Sequence, residues 1–481
     1  MENAVMLQGF EWYIPDDGNH FKNLKELIPE LKKSGFDSIW LPPFCKATGT
    51  NDNGYGIYDL YDLGEFDQKG NKRTKYGTRE DLIDLIDTSH KNGILVYADI
   101  VMNHKAGADY TEKFQAVEVD PNDRTKDISD QHEIEGWTGF DFPGRKGKYS
   151  EFKWNFNHFT GVDMDNKTGK TGIFRIVGEN KGWAYGVSGE KGNFDYLMFA
   201  NIDHSHPDVF NEFKSWTKWL VDNTKVDGFR IDAAKHIDDI FMAKFIDHVE
   251  STFGPDFYCF GEYWVNDPNQ TGHYLYETEY NLDIFDVGLH FNLFNAAVGG
   301  GDYDLRKIFD NSVVKEYPTI AVTFVDNHDS QPGEALSSFV DPWFKRIAYG
   351  LILLRKDGYP CVFYGDYYGI KGDQPVEGMK EIIDNLIFIR KNYAYGEQDD
   401  YFEDPHTIGF VRKGNEKHPG RLAVAITNRD RSEIKMNVGK DQAGKIYRDL
   451  TGQLNEEVTI DEEGNGVFIA PAGSISAWAN K

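Results

Sequence analysis

The sequence predicts an α/β fold: a (β/α)8 TIM barrel, interrupted after its third strand by an irregular β-rich insertion and followed by a C-terminal antiparallel β-sandwich. Three observations predict it. Short runs rich in Val, Ile and Phe alternate with longer segments of helical period, as βα units on a parallel sheet require. From His104 to about His206 that rhythm breaks, and the chain becomes rich in Gly, Asp, Asn and aromatics without helical period. After about Ala394 it turns to short strands at regular spacing.

Eight apolar runs are candidate barrel strands: Ala4 to Phe10, Ser38 to Pro43, Ile94 to Val101, Val226 to Ala233, Phe257 to Tyr263, Phe285 to His290, Ala321 to Asp326 and Pro360 to Gly365. Between them, segments such as FKNLKELIPELKKSG, TREDLIDLIDTSHKNG and PDVFNEFKSWTKWLVDN carry apolar residues three and four apart and Gly or Asn near their ends, the pattern of amphipathic helices. The interval after the third strand is too long for a bare loop, and such excursions are commonly functional. The tail segments TIGFVRKG, RLAVAITN, KIYRDLTG and VFIAPAGSISAWANK supply the sandwich. The expected division is a barrel over 1–103 and 206–394, an insertion over 104–205 and a sandwich over 395–481.

Composition narrows the partners. The 481-residue chain holds 79 acidic and 52 basic residues, a net charge of -27 that repels nucleic acid and anionic membranes. Neutral ligands suit it, and 15% aromatic residues would serve stacking as well as core packing. Cys45, Cys259 and Cys361 are odd in number, lack metal-ligand spacing and lie in apolar runs, so free buried thiols are expected. No apolar run reaches membrane-spanning length. No basic segment with an apolar stretch precedes the first strand, so a cytoplasmic location is expected, with a trimmed secreted form as the alternative. A monomer is the expected state.

The chemistry gathers at the strand ends. Strand four ends GFRIDAAKH, and Arg230 two residues before Asp232 in an extended chain points to the same side, where it would hold Asp232 ionised. Strand three ends ADIVMNH, strand five FGEYW and strand seven FVDNHD. Together they supply Asp99, Asn103, His104, Arg230, Asp232, Lys235, His236, Glu262, His328 and Asp329 at the face where barrels place their active sites. Any one of these residues alone is an ordinary loop polar group or ion pair. Three acids converging there suggest glycoside hydrolysis: an ionised carboxylate attacks the anomeric carbon, a second carboxyl with a raised pKa protonates the leaving oxygen, and a third stabilises the oxocarbenium-like charge. Glu262, followed by Tyr263 and Trp264 and facing two other carboxylates, suits the proton donor.

The segments DIVMNH, GFRIDAAKH, GEYW and FVDNHD, in this order, resemble the signature regions of the α-amylase family of retaining glycoside hydrolases. The similarity continues through LQGFEWY, GYGIYDLYDLGEF, NFDYLM and YPCVFYGDYYG and covers nearly the whole chain, nearest the liquefying bacterial enzymes and an intracellular branch of them. The resemblance implies Asp232 as nucleophile, Glu262 as general acid/base and Asp329 as transition-state stabiliser. It implies that Arg230, His104 and His328 serve the sugar at the cleavage point and that Tyr55 lies under it. Trp12, Lys235, His236 and Trp264 are further candidate contacts, with core packing the alternative for the two tryptophans. It also implies Ca2+ between barrel and insertion, held by Asn103, Asp195, Asn201 and the backbone carbonyl of His236. Thr160, Ala184 and Asn201 stand where secreted relatives tend to carry aspartates of a multi-metal cluster, so one calcium site is expected and the cluster weakened or lost.

The implied activity is endo-hydrolysis of α-1,4-glucosidic bonds in starch, glycogen or maltodextrins. A maltooligosaccharide-forming or transglycosylating enzyme of the same family is the alternative, because a sugar hydroxyl can intercept the same glycosyl intermediate. A non-catalytic carbohydrate-binding protein would be expected to have lost one of the acids, and all three are present.

Overall fold

The structure is a computed structural model and describes residues 2–480. Eight short strands close into a parallel barrel: β1 (Met6–Gln8), β2 (Ser38–Leu41), β3 (Leu95–Ile100), β4 (Gly228–Ile231), β5 (Tyr258–Gly261), β6 (Asp283–Phe285), β7 (Ala321–Phe324) and β8 (Tyr359–Phe363). Each pairs with its neighbours in sequence, and β8 closes on β1. Both faces of these strands are buried, inside by barrel-filling side chains and outside by helices, so they read as continuous apolar runs rather than as alternation. Trp40, wholly buried, fills the interior against Phe10, Phe285 and Phe260 at ring separations of 5.3, 5.5 and 6.3 Å.

The helices start where their sequences say they should. Arg79–Lys91 begins on a reciprocal capping box between Thr78 and Asp81. Pro207–Thr224 opens with proline in its first turn, where the missing N–H has no helical partner to lose. His20–Ser34 ends on Gly35 at φ 105°.

One strand expectation is corrected. The sixth strand is Asp283–Phe285, and most of the run expected as strand, from Val287 onward, is the helix Val287–Gly299. Asp286 makes the break: its buried carboxylate accepts the backbone N–H groups of Leu289, Val313 and Val314 at 2.8–2.9 Å, capping this helix and the short helix Val313–Glu316 together.

The insertion forms an antiparallel six-stranded sheet in the order His104–Lys105, Ala200–Ile202, Phe159–Asp165, Lys170–Ile176, Tyr110–Val119, His132–Gly139. Its first and last strands pair with each other, Asn201 opposite His104, so both ends of the insertion stand at the mouth of the barrel beside β3. The C-terminal region stacks a six-stranded sheet and the two-stranded sheet Ser432–Asn437/Asn465–Ala470 around Trp478, Phe468, Tyr447 and Met436. All three cysteines are buried and free. Among the described residues no helix is long and apolar enough to cross a membrane.

Candidate active site

Parallel register sets Arg230 of β4 beside Asp99 of β3. The guanidinium is fully buried and donates from Nη1 to Asp99 Oδ1 at 2.9 Å and to Asp232 Oδ1 at 2.7 Å. Asp99 Oδ2 also accepts from Tyr55 Oη at 2.9 Å and from Trp40 Nε1 at 3.1 Å. One carboxylate thus orients the arginine, the tyrosine and the barrel-filling tryptophan. Arg230 Nη2 lies 2.9 Å from Glu262 Oε2, but its N–H bonds are not aimed there, so that contact is Coulombic rather than a hydrogen bond. Immediately after Asp232, Ala233 adopts a left-handed conformation with φ 52°, a turn that costs a non-glycine residue on the order of 1–3 kcal/mol. That turn aims the Ala233 N–H at Glu262 Oε2, 3.1 Å away. Glu262 Oε1 makes no hydrogen bond among the described residues and is left for a ligand.

Asp329 completes the triad of acids from the segment after β7 and is the most open of them, its side chain 26% exposed against 10% for Asp232 and 9% for Glu262. His328 Nε2 lies 3.4 Å from Asp329 Oδ2, and the Gln8 amide nitrogen lies 3.0 Å from His328 Nδ1. An amide N–H donated to Nδ1 leaves the imidazole proton on Nε2, facing the carboxylate. The rings of Trp12, His328 and Tyr55 are near-parallel, with Tyr55 and His328 5.3 Å apart at 5°. Tyr55 reaches this wall because Gly54 precedes it at φ 98°, where a Cβ would sit 2.4 Å from the Pro43 carbonyl oxygen.

Burial raises the pKa of all three acids, desolvation leading at Asp232, at Glu262 and at Asp329, and repulsion adds at two of them: the charge of Asp232 at Glu262, and that of Glu262 at Asp329. This corrects the expectation that Arg230 leaves Asp232 with a depressed pKa. The arginine does lower it, but the desolvation is larger. Asp99, Asp232, Glu262 and Asp329 share the Arg230 guanidinium, so their titrations are linked, and the site holds its carboxyls to a proton more tightly than free carboxylates do, as a group serving as general acid requires. His328 and His104 are held neutral, the latter pushed down to about 4 by burial.

The other residues expected at the site divide. His104 Nε2 is turned onto the Tyr55 carbonyl at 2.8 Å, which fixes the tyrosine loop. Lys235 spans Glu190 Oε2 and the Trp264 carbonyl, both at 3.1 Å, joining the insertion to the end of β5. Trp264 packs against His290, Phe291 and Phe324. The His236 ring is buried, with Nδ1 2.6 Å from the Phe194 carbonyl, so its side chain is occupied and its backbone oxygen is what remains to offer.

Asn103, Asp195 and Asn201 do meet, all of them fully buried. Asn201 donates to Asp195 Oδ1 at 3.1 Å and accepts from Asn103 at 3.2 Å. Asn103 Oδ1 is buried without a partner, and burial pushes the Asp195 carboxyl up to about 7. An orphaned carbonyl oxygen beside a desolvated carboxylate fits a hard cation. Thr160 and Ala184 close the same cluster, Thr160 Oγ1 accepting from Asn201 at 2.9 Å and the Ala184 N–H donating to Asp195 Oδ2 at 3.3 Å. His158, His206 and Asp208 also bring ligand atoms within 4.8 Å of one another. There, however, both imidazole Nδ1 atoms accept backbone N–H bonds, from Asn155 at 3.1 Å and Asp208 at 3.2 Å, which puts protons on Nε2 where a metal would need lone pairs. Sequence reasoning missed the roles of Gln8 and Trp40; the polar Gln8 ending the apolar run of β1 was the available signal.

Comparisons with known proteins identify the family. The model of the α-amylase catalytic domain matches residues 20–405 and that of the α-amylase C-terminal domain residues 422–479. The chain is 48% identical to a glucan 1,4-alpha-maltohexaosidase of Bacillus sp. (strain 707), over 100% of this chain and 93% of that protein. It is 40% identical to the cytoplasmic alpha-amylase of Escherichia coli (strain K12), over 99% of each. In fold it superposes on the acarbose-complexed alpha-amylase of Geobacillus thermoleovorans with a TM-score of 0.67 at 20% identity, covering 99% of this chain and 97% of that one. On the strength of the domain models and full-length relatives, the chain belongs to the α-amylase family.

Proposed function

We propose that this protein is an endo-acting α-amylase that cleaves α-1,4-glucosidic bonds with retention of anomeric configuration. The observation that carries the reading is the set of three acids from the ends of β4, β5 and the segment after β7, gathered around Arg230 at the barrel mouth. In the first step Asp232 attacks the anomeric carbon while Glu262, through its free Oε1, protonates the departing glycosidic oxygen. In the second step Glu262 takes a proton from water, which opens the glycosyl ester from the side the leaving group vacated. Asp329 and His328 grip ring hydroxyls as positive charge develops, and Tyr55 with Trp12 forms the stacking wall. Asn103, Asp195, Asn201 and the His236 carbonyl would hold Ca2+, which, when bound, cross-links the insertion to the barrel.

The likeness to a maltohexaosidase favours a product of defined length as the second reading. The likeness to a cytoplasmic enzyme supports an intracellular site, with glycogen or imported maltodextrins as the glucan.

Proton NMR of the anomeric signals during early maltoheptaose hydrolysis tests the proposal. New α-anomers appearing before mutarotation are expected; β-anomers first would remove Asp232 from the nucleophile role. Products longer than the input would favour transglycosylation.

A further inference from the structure

Lys345 lies on the helix Pro342–Leu354, outside the barrel and only 2% exposed. Its ammonium sits 2.9 Å from Asp326 Oδ2, contacts Asp366 Oδ1 and stands 3.4 Å over the Phe339 ring. Asp366 in turn accepts from Tyr349 Oη at 2.6 Å. A buried cation between two carboxylates could be no more than a strut joining this helix to β7 and β8.

The segment it holds is the one that carries the site. Asp326 follows β7, and its carboxylate closes the loop 326–340 on itself, accepting from Ser330 Oγ at 2.8 Å and from the Val340 N–H at 3.2 Å. Inside the loop, Asn327 Oδ1 accepts the N–H groups of Asp329 at 2.9 Å and Ser330 at 2.8 Å, and the Asn327 N–H donates to Ser330 Oγ at 3.0 Å. The backbone of Asp329 is therefore fixed by Asn327, Asn327 is tied to Ser330, and Ser330 to Asp326. Without the ammonium, Asp326 and Asp366 would face one another buried and unneutralised, a state relieved by taking up a proton or by moving apart. Either response loosens the carboxylate that defines the turn.

We propose that Lys345 is a positioning residue for Asp329, acting through Asp326 and Ser330 on the loop that carries both His328 and Asp329. The inference rests on the reading of Asp329 as a substrate-contacting acid. It adds to that reading a residue that touches no sugar, on a helix behind the barrel wall.

Two variants test it with maltoheptaose as substrate: Lys345→Met, and Ser330→Ala, which leaves the Lys345 ion pairs in place. Both are expected to lower kcat on the order of 10- to 100-fold, because a displacement of about 1 Å at an aligned group costs that much, while KM stays within about twofold. Affinity for a pseudo-oligosaccharide carrying a protonated amine at the cleavage position should fall by the same factor as kcat, since Asp329 meets positive charge there. Lys46→Met is the control: Lys46 is equally buried, 3.3 Å from Asp62, and has no link to the loop, so thermal stability should fall with kcat preserved. Wild-type kcat in Ser330→Ala and in folded Lys345→Met, or a kcat loss that the cationic inhibitor does not follow, would overturn the proposal. Should Lys345→Met fail to fold, Lys345→Arg, which keeps the charge but not the fit between Asp326 and Asp366, takes its place with the same expected loss, and wild-type kcat in it and in Ser330→Ala overturns the proposal. Asp329→Asn separates the two failures: substantial turnover in that variant removes the assigned role of Asp329 itself, whereas an inactive Asp329→Asn beside a fully active Ser330→Ala removes only the positioning.

Discussion

Replacing Arg230 by methionine should move the acid limb of the pH profile of kcat/KM rather than simply lower it. The guanidinium touches Asp232 at 2.7 Å. With charge centres about 4 Å apart and an effective dielectric of about 20, the attraction is about 4 kcal/mol. The sign follows from what is removed: the cation lowers the pKa of Asp232, so its loss raises an already raised pKa further and leaves less of the nucleophile ionised at any given pH. The acid limb, which reports essential groups of the free enzyme, should shift upward, and the lost attraction sets the scale of the fall in turnover on that limb, on the order of 10²–10³-fold. Arg230→Lys keeps the charge but loses the fork that reaches Asp99 and Asp232 together, so it should shift the limb less while still losing rate. Circular dichroism at each pH keeps unfolding apart from titration. An acid limb within about half a unit of wild type, with neutral turnover within about tenfold, would refute the reasoning, because a charge at this distance cannot be neutral in effect.

Glu262→Gln, nearly isosteric, should lose at least about 10²-fold in turnover with the fold intact, since positioned proton transfer contributes that much; wild-type-like maltoheptaose hydrolysis would remove its role. Asn201→Asp adds a charge to the oxygen cluster and should tighten Ca2+ binding, seen as a thermal midpoint that responds to lower calcium than in wild type; an unchanged calcium response would argue that the ion binds elsewhere. Asp283, its Oδ2 accepting from Tyr258 Oη at 2.7 Å, is pushed by burial from 3.8 to about 7. A raised carboxyl contributes stability below about pH 4 and loses it as pH rises through about 7. Asp283→Asn should therefore gain on wild type in urea denaturation between pH 5 and pH 8, by at most about 4 kcal/mol. A pH-independent difference would show that the carboxyl is not desolvated.

The fold was legible because the barrel strands are buried on both faces and so read as apolar runs, and because helices such as Arg79–Lys91 announce their own caps. The sixth strand was misplaced for the same reason that most were found. The run after Phe285 is apolar and alternates, and nothing local says that Asp286 will collect N–H groups from residues 313 and 314, across a chain segment of its own. At the site, Arg230 and Asp232 could be paired on strand period alone. The sign of the Asp232 shift could not, because it depends on how much water the insertion and barrel exclude.

By itself the sequence determined which chemistry the chain carries and roughly where: acids, an arginine and histidines at strand ends, on a chain whose apolar period makes a barrel. Those are properties of residue type and spacing. The tertiary structure decided which groups share a partner and which are spent elsewhere. It set Asp99 beneath Arg230 by register, turned His104 onto the Tyr55 carbonyl, occupied the His236 ring with Phe194 and tied Asp326 to a lysine on an outer helix. Such contacts join residues far apart in the chain, and hydrogen-bond direction and desolvation arise only when those segments meet.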